Sequence, residues 1–155
     1  MKDEMGFPNP VKHKGHETLL NIYVTATILI KETRRVLRPF GLTDAQFDVL
    51  MMLDTQSRDG TLNQTELSAM LLVNRSNITG LIDRMEQAGW VRRMPEAGDR
   101  RINRIGMTDS GKALLEKARK AYFTRVDEIT SFLSVSEENT LCGVLERIRK
   151  QAKHS

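Results

Sequence analysis

The 155-residue sequence predicts a mainly α-helical fold with one small β-hairpin. Apolar residues recur at spacings of three and four along most of the chain, which is the period of helices that bury one face. Between Trp90 and Met107 this period gives way to two short segments on either side of a Pro-Glu-Ala-Gly turn, a pattern typical of a hairpin. The length is that of about one domain, so we expect a single compact domain.

The composition is that of a soluble protein. Apolar residues make up 39% and charged residues 28% of the chain. The longest apolar stretch, Ile22 to Ile30, contains two threonines and is far shorter than the roughly 20 residues that span a bilayer. The first residues are charged and interrupted by prolines before any apolar run, so they resemble neither a signal peptide nor a transit peptide. We therefore expect the protein to remain in the cytoplasm, away from membranes.

The first third of the chain predicts an arm and two helices. Residues 1–15 contain two glycines and two prolines without any periodicity, which indicates a loose arm. Helical spacing of apolar residues from Glu17 to about Arg38 predicts a long first helix. Pro39 breaks it, and Thr43 is expected to cap a second helix. A polar turn is predicted at Ser57 to Gly60.

Two shorter helices joined by a turn of three or four residues follow. The first is expected to begin near Asn63, where Glu66 three residues later suits a capping box, and to end near Leu72. The second has one apolar stripe, formed by Ile78, Leu81, Ile82, Met85 and Ala88. Its opposite face carries Arg75, Ser76, Asn77, Thr79, Gly80, Asp83, Arg84 and Gln87. Short polar residues at the start of such a helix suit contact with base edges in the major groove of DNA.

Gly80 is unusual because it lies in the middle of the second helix. Glycine there costs about 1 kcal/mol relative to alanine. Close approach to a DNA backbone or to a neighbouring helix would justify that cost, and a chance occurrence is an equal contender.

The hairpin carries basic residues at its tip. Gly89 is expected to end the preceding helix, Trp90–Met94 to form one strand, and Ile102–Met107 to form the other. Asp99 comes just after the turn and is followed by two arginines, so one arginine can pair with it while the other projects into a minor groove. The alternative is a surface salt bridge with no role beyond the hairpin.

Arginine supplies all of the positive charge in this region. The segment from Asn74 to Met107 has seven arginines, no lysine and four acidic residues, a net charge of +3. The arginines are Arg75, Arg84, Arg92, Arg93, Arg100, Arg101 and Arg104. Such clusters are usually solvated surface, but their concentration on one helix and one hairpin favours phosphate and guanine contacts, which the planar guanidinium suits. A helix-turn-helix followed by a basic hairpin is a winged helix-turn-helix.

The order of these elements resembles the MarR family of bacterial and archaeal transcriptional regulators. The resemblance covers about Thr18 to Lys150 and includes the Asp-Arg-Arg wing and the element Met107-Thr108-Asp109-Ser110-Gly111. It implies a homodimer that binds a pseudo-palindromic operator, usually represses a nearby gene, and often releases DNA when a small, frequently aromatic acid binds. It also implies an effector pocket between the dimer-forming helices and the winged region.

The resemblance assigns roles to individual residues. The recognition helix is about Arg75 to Ala88, the wing is braced by Asp99 and Arg101, and the minor-groove contact is Arg100. The expected DNA-binding residues are Arg75, Ser76, Asn77, Thr79, Arg84, Arg100 and Arg104. The sequence departs from the commonest wing pattern at Gly106-Met107, where a bulkier residue followed by leucine is usual, which bears on the stiffness of the second strand.

The remaining helices are expected to join two copies. Thr108 should cap one long helix and Ser136 a last one, and both are too apolar to sit alone on a small winged region. We therefore expect residues 16–40 and 108–152 to form a helical dimerisation layer around a DNA-binding region at 41–107. The alternative is that these helices complete a monomeric core. A two-fold dimer would place its recognition helices about 34 Å apart, which predicts a palindromic site.

The candidates for the effector pocket come from the first and second helices. They are Tyr23, Thr27, Ile30, Arg34, Phe47 and Met51, with Arg34 as the partner for an acid. Apolar residues at helical spacing also need no ligand to explain them, so plain core or surface is the competing interpretation.

No cofactor, metal site or catalytic centre is expected. The three histidines, His13, His16 and His154, are too few and too peripheral for zinc or for catalysis. The single cysteine, Cys142, excludes an intrachain disulfide, and its acidic neighbours disfavour a reactive thiolate. The remaining alternative function is a winged-helix protein-interaction module. Such a module would expose aromatic residues on the helix that begins at Arg75, and the sequence has none there.

Overall fold

The computed structural model describes residues 11–57, 59–71, 75–96 and 99–153, without the side chains of residues 75, 76, 96 and 99–102. The predictions for most of the arm, for the turn at 72–74 and for His154 therefore lie outside the described residues. The described chain up to Arg119 forms one compact unit, and the chain from Lys120 onward forms a second. None of the helices in the described ranges is long and apolar enough to cross a membrane.

Helix α1 spans Lys14–Leu37 and begins earlier than the sequence predicted. The ring nitrogen Nδ1 of His13 accepts a hydrogen bond from the backbone N–H of His16 at 3.1 Å and so caps the helix. Because this cap satisfies one of the free N–H groups of the first turn, Gly15 is accommodated inside the helix instead of ending the arm. The predicted start at Glu17 was therefore wrong by three residues.

Helix α2 spans Asp44–Thr55 and follows a short 3-10 turn at Arg38–Phe40. Thr43 caps it as predicted: its hydroxyl accepts from the N–H of Gln46 at 3.2 Å, and the Gln46 side chain accepts from the N–H of Thr43 at 2.9 Å. This reciprocal pair is a capping box. The buried face of α2 consists of Phe47, Val49, Leu50 and Leu53.

The β-sheet has three antiparallel strands in the order β1-β3-β2. The strands are β1 at Thr61–Asn63, β2 at Val91–Glu96 and β3 at Asp99–Met107. The sequence predicts only the hairpin of β2 and β3, because β1 is three residues long and its last residue, Asn63, also caps a helix. The predicted turn at Pro95–Gly98 was also wrong in part: β2 continues through Pro95, with a register shift beside it, and proline is tolerated there because β2 is an edge strand.

Helices α3 and α4 span Gln64–Leu71 and Arg75–Gln87. The predicted capping box at the start of α3 is confirmed, since Asn63 Oδ1 accepts from the N–H of Glu66 at 2.9 Å and Glu66 Oε2 accepts from the N–H of Asn63 at 2.7 Å. Ala88 was predicted as part of the buried stripe of α4, and this was wrong. It is exposed in the turn after the helix, because Gly89 adopts φ 73° and reverses the chain.

Helices α5 and α6 span Asp109–Thr130 and Val135–Lys153. Thr108 caps α5 as predicted, with its hydroxyl accepting from the N–H of Gly111 at 3.1 Å. The cap of α6 is Ser134 and not Ser136. Ser134 Oγ accepts from the N–H of Glu137 at 3.3 Å, and the Glu137 carboxylate accepts from the N–H of Ser134 at 2.8 Å, so the acidic residue three positions later selects the earlier serine. The N–H and the hydroxyl of Ser134 both donate to the Glu137 carboxylate, and these two bonds lower the pKa of Glu137.

The hydrophobic core lies within the first unit. Its members come from α1 to α5, from all three strands and, for Leu42, from the segment before α2, and each is at most 8% exposed. They are Leu37, Leu42, Phe47, Val49, Leu50, Leu53, Leu62, Leu67, Ile78, Leu81, Ile82, Met85, Val91, Ile105, Leu115 and Ala118. The core therefore fixes α4 and the sheet against the same set of apolar side chains.

Candidate nucleic-acid interface

Helix α4 has one face in the core and one face in solvent. Ile78, Ile82 and Met85 are completely buried and Leu81 is 8% exposed, which confirms these members of the predicted stripe. Asn77, Thr79 and Arg84 are exposed. The side chains of Arg75 and Ser76 lie outside the described residues, although α4 begins at Arg75. Because the apolar side of α4 is packed into the core, its polar side faces solvent.

Arg93 of β2 joins the sheet to α4 through two carboxylates. Its guanidinium lies 2.6 Å from Asp83 Oδ1 and 2.5 Å from Glu86 Oε2. Its backbone N–H also donates to Glu86 Oε1 at 2.9 Å. Burial alone lowers the pKa of Arg93, but the hydrogen bonds to Asp83 and Glu86 outweigh it and the pKa is raised. The arginine therefore stays charged and couples the orientation of the hairpin to that of α4.

The base of the hairpin is held to β1 by Arg104. Arg104 donates to the Thr61 hydroxyl at 2.6 Å and to the Thr61 carbonyl oxygen at 2.9 Å, and its guanidinium is 3.4 Å from Asp59. Asp59 in turn accepts from the N–H and the hydroxyl of Thr61 at 3.0 and 2.8 Å. The Thr61 hydrogen bonds, with a smaller contribution from Arg104, lower the pKa of Asp59. This set of contacts ties β3 to the segment that precedes β1.

Gly106 lies close to side chains of both neighbouring strands, β1 and β2. A Cβ atom at this position would lie 3.0 Å from Met94 Cε and 3.3 Å from Thr61 Cγ2. Both distances are tighter than ordinary carbon contacts, so a larger residue would require the neighbours to move. The departure from the commonest wing pattern at Gly106 therefore accompanies a close local packing of Thr61 and Met94.

The element Met107-Thr108-Asp109-Ser110-Gly111 fastens the start of α5 to the turn after α4. The Thr108 hydroxyl donates to the Gly89 carbonyl oxygen at 2.6 Å, and the Thr108 N–H donates to the Trp90 carbonyl oxygen at 3.0 Å. A Cβ atom on Gly111 would lie only 2.1 Å from that same Trp90 oxygen. Gly111 is therefore required for the close approach of α5 to this turn.

The predicted wing residues are only partly described. Asp99, Arg100 and Arg101 begin β3, and their side chains lie outside the described residues. Arg104 lies at the wing base, and Asn77, Thr79 and Arg84 share the outward side of α4. The role of Arg93 was not predicted from the sequence. Arg93 follows Glu86 by seven residues, with a glycine turn between them. The pairing rule for helices covers spacings of three or four residues only, so it does not predict this ion pair.

The predicted pocket residues occupy different environments in the single chain. Phe47 is 2% exposed and belongs to the core, whereas Tyr23 is 70% exposed. The Thr27 hydroxyl donates to the carbonyl oxygen of Tyr23 at 2.9 Å within α1. The guanidinium of Arg34 pairs with Asp44 at 3.0 Å. Ile30 is 46% exposed, and Met51 is half-buried.

A cavity of about 340 Å³ lies beside α4. Its lining comes from the start of α2, the end of α3 and one side of α4, and consists of Asp44, Ala45, Asp48, Leu71, Asn77, Leu81 and Arg84. Burial, followed by repulsion from Asp44, raises the pKa of Asp48. The Arg34 partner Asp44 therefore lines the same cavity as two predicted DNA-binding residues. Elsewhere, Cys142 is exposed, and the described residues contain no group of three side chains suited to a metal ion.

Taken together, two short helices, a recognition helix with a polar outward face and an adjoining three-stranded sheet define a winged helix-turn-helix protein. The profile of the MarR family matches residues 42–102. The HTH-type transcriptional regulator PecS of Dickeya dadantii is 34% identical over 116 residues, which cover 75% of this chain and 70% of PecS. The chain therefore belongs to the MarR family of transcriptional regulators.

Solved structures of this family agree with the assignment. A MarR mutant from Escherichia coli complexed with operator DNA is 25% identical, with a TM-score of 0.70 and coverage of 84% of this chain and 95% of that chain. The Mycobacterium tuberculosis regulator MOSR in complex with DNA is 26% identical, with a TM-score of 0.71 and coverage of 88% and 96%. The fold predicted from sequence, mainly α with a small β wing, is confirmed.

Proposed function

We propose that the protein is a cytoplasmic, dimeric repressor that binds a palindromic operator and is released from it by a small acidic effector. Residues 41–107 form its DNA-binding region, and residues 16–40 and 108–152 form its dimerisation layer. The protein acts by binding and not by catalysis. Regulators of this family that were crystallised with DNA support the proposed DNA binding. The exposed apolar side chains of the long helices support the proposed dimer.

The single observation that carries DNA binding is the two-sided character of α4. The apolar side chains of its inner side are at most 8% exposed, and its outer side presents exposed Asn77, Thr79 and Arg84. Arg75 and Ser76 complete this set at the start of the helix, where a recognition helix meets base edges. Asparagine suits adenine and arginine suits guanine in the major groove.

The wing supplies the second contact. We assign Arg100 to the minor groove, with Asp99 and Arg101 as the brace that orients it. Arg104 contributes to binding by holding the wing base to Thr61 and Asp59, contacts in which most of its donors are engaged. Arg93 keeps the wing and α4 in one orientation, so that a change in one is transmitted to the other.

The dimer proposal rests on helices that expose apolar side chains. Leu19 and Tyr23 on α1 are 57% and 70% exposed, and Leu141 and Val144 on α6 are 50% and 43% exposed. Exposed apolar residues in such numbers mark interaction surfaces. A second copy of the chain covers the same surface on both partners and places two recognition helices about 34 Å apart, one turn of DNA.

The effector proposal centres on Arg34. Arg34 is 63% exposed and its partner Asp44 lines the cavity beside Asn77 and Arg84. An acid that binds the Arg34 guanidinium competes with Asp44 for it. The Asp44 carboxylate, released from Arg34, then lies in the same cavity as Arg84. Its negative charge weakens the positive charge that the recognition helix offers to DNA. The other side chains proposed to line the pocket for the acid are Tyr23, Thr27, Ile30, Phe47 and Met51.

The test is salt-dependent binding to the DNA upstream of the protein's own gene, measured by fluorescence anisotropy. Arg100→Ala should reduce the slope of log affinity against log salt by about 1, the value for one lost phosphate contact. Asn77→Ala should relax sequence preference and leave that slope unchanged. Lys117→Ala, which removes an exposed charge from α5, serves as the matched control and should bind as the wild type does. Absence of any salt dependence in the wild-type protein would refute DNA binding, and would favour a protein-interaction module.

A further inference from the structure

No contact in the described part of the fold requires a glycine at position 80. Gly80 lies in the interior of α4, where glycine is one of the least favourable residues. Among the described side chains and the backbone outside α4, a Cβ atom built at this position would meet Nη1 of Arg84, at 3.5 Å, which is an ordinary van der Waals distance. Its backbone is helical, a conformation that every residue type except proline adopts inside a helix.

Other glycines in the same unit are explained by their surroundings. Gly111 and Gly106 lie where a Cβ atom would come within 2.1 and 3.0 Å of neighbouring atoms, and Gly89 has a positive φ. Gly80 has neither property. The cost of this glycine to the helix is therefore not offset by anything in the described chain.

The position of Gly80 on the helix indicates what it serves. At 3.6 residues per turn, Gly80 lies roughly 160° to 200° around the axis from Ile82 and Ile78, which are completely buried. It is thus at the centre of the outward side, one turn after Ser76 and in the first half of α4. This is the line along which a helix placed in a groove comes nearest to its floor.

We propose that Gly80 is the point at which the backbone of the recognition helix approaches the base edges of the operator most closely. Without a side chain at this point, α4 enters the major groove more deeply, and neighbouring Asn77 and Thr79 reach the base pairs. This inference rests on the proposed DNA-binding function. It makes Gly80 a specificity-determining residue although it makes no side-chain contact of its own.

The test compares Gly80→Ala and Gly80→Ser. Both add a Cβ atom, but alanine favours the helix more than serine does. The melting temperature should rise for Gly80→Ala and rise less for Gly80→Ser. Affinity for the operator should nevertheless fall at least tenfold in both, while affinity for unrelated duplex DNA changes by less than threefold, because non-specific binding depends on phosphates and not on the depth of the helix.

A double-mutant comparison separates this role from displacement of Arg84. If the Cβ atom acts by moving the Arg84 guanidinium, then Gly80→Ala should have no further effect in an Arg84→Ala background. If it acts by limiting the approach of the backbone, the tenfold loss should persist there. Persistence supports the proposal, and loss of the effect overturns it, as does operator binding by Gly80→Ala within twofold of the wild type. Failure of the wild-type protein itself to bind DNA refutes the proposed function, and is distinguishable from either result.

Discussion

The winged helix-turn-helix region and the long terminal helices differ in how far they bury their apolar side chains within one chain. In α4 the whole inner stripe is buried, and α4 is tied to the sheet by Arg93. In α1 the buried residue is Leu37 alone among 24, and none of the 19 residues of α6 is buried. The first region is complete within one chain. The long terminal helices instead leave large apolar side chains exposed, among them Leu19, Tyr23 and Leu141.

This contrast separates two physical tasks. A surface that reads DNA must be rigid before it meets its partner, because ordering it on binding would cost affinity. A surface that joins two copies can stay exposed in the monomer, because the partner supplies its burial. Substitutions in the two regions should therefore have different consequences, loss of stability in the winged region and loss of dimerisation in the terminal helices.

The largest effect is expected at the proposed dimer surface. Leu141→Glu places a charge on the exposed apolar face of α6, where burial against a second copy would leave it unpaired. We expect dissociation to monomers and a loss of operator affinity of about 100-fold, because linked binding of two recognition helices is lost. Light scattering and anisotropy measure the two quantities. Lys153→Glu, at the end of the same helix, should stay dimeric, and a dimeric Leu141→Glu would contradict the assignment.

The next effect concerns the junction of α5 with the turn after α4. Gly111→Ala forces a Cβ atom against the Trp90 carbonyl oxygen, so either α5 or the turn must move. We expect the free energy of unfolding to fall by about 3 kcal/mol, in the range of overpacked sites. Urea denaturation measures it. The adjacent exposed change Lys112→Ala should stay within about 0.5 kcal/mol of the wild type, and an equally mild Gly111→Ala would show that the junction is looser than described.

A smaller effect is expected for the link between the wing and α4. Arg93→Ala leaves Asp83 and Glu86 without their shared cation, and because both carboxylates are partly exposed we expect a loss of only about 1–2 kcal/mol. Operator affinity should fall together with stability. Arg93→Lys should recover little, because one ammonium cannot replace the planar guanidinium between two carboxylates. Full recovery in the lysine variant, seen by thermal unfolding and anisotropy, would show that charge alone is needed.

The smallest effect concerns the pH dependence of the wing base. The pKa of Asp59 is lowered below its ordinary value of 3.8, chiefly by hydrogen bonds from Thr61. A lowered pKa in the folded state gives stability that is complete above the unfolded pKa and is lost as pH falls through the folded pKa. Asp59→Asn should therefore lower the urea midpoint near neutral pH and make it less sensitive to acid below about pH 4. Parallel wild-type and variant curves from pH 5 to pH 2.5 would contradict this.

The sequence predicted the regions in which local patterns decide the structure. The buried stripe of α4, the caps at Thr43, Asn63 and Thr108, and the turn at Gly89 all depend on residues a few positions apart. Such local signals are sufficient because caps and helical faces are formed within one or two turns.

The features that were missed depend on distant residues. Strand β1 exists because Thr61 and Leu62 pair with Gly106 and Ile105, more than 40 residues later in the chain. The ion pairs of Arg93 cross a reversal of the chain, and the contacts of Arg104 reach back to Asp59. Three wrong predictions depend instead on local residues: the cap at Ser136 in place of Ser134, the start of α1 without the His13 cap, and the burial of Ala88 beside Gly89.

The most direct test of the central claim is a hydroxyl-radical footprint of the wild-type protein on the DNA upstream of its own gene. Two symmetric recognition elements predict protection of two half-sites whose centres lie about 10 base pairs apart on one face of the duplex. They also predict protection of the adjacent minor grooves, which the Arg100→Ala variant loses. A single protected patch would contradict the dimeric arrangement, and the absence of any protection would contradict the assignment of α4 and the wing as the DNA-binding surface.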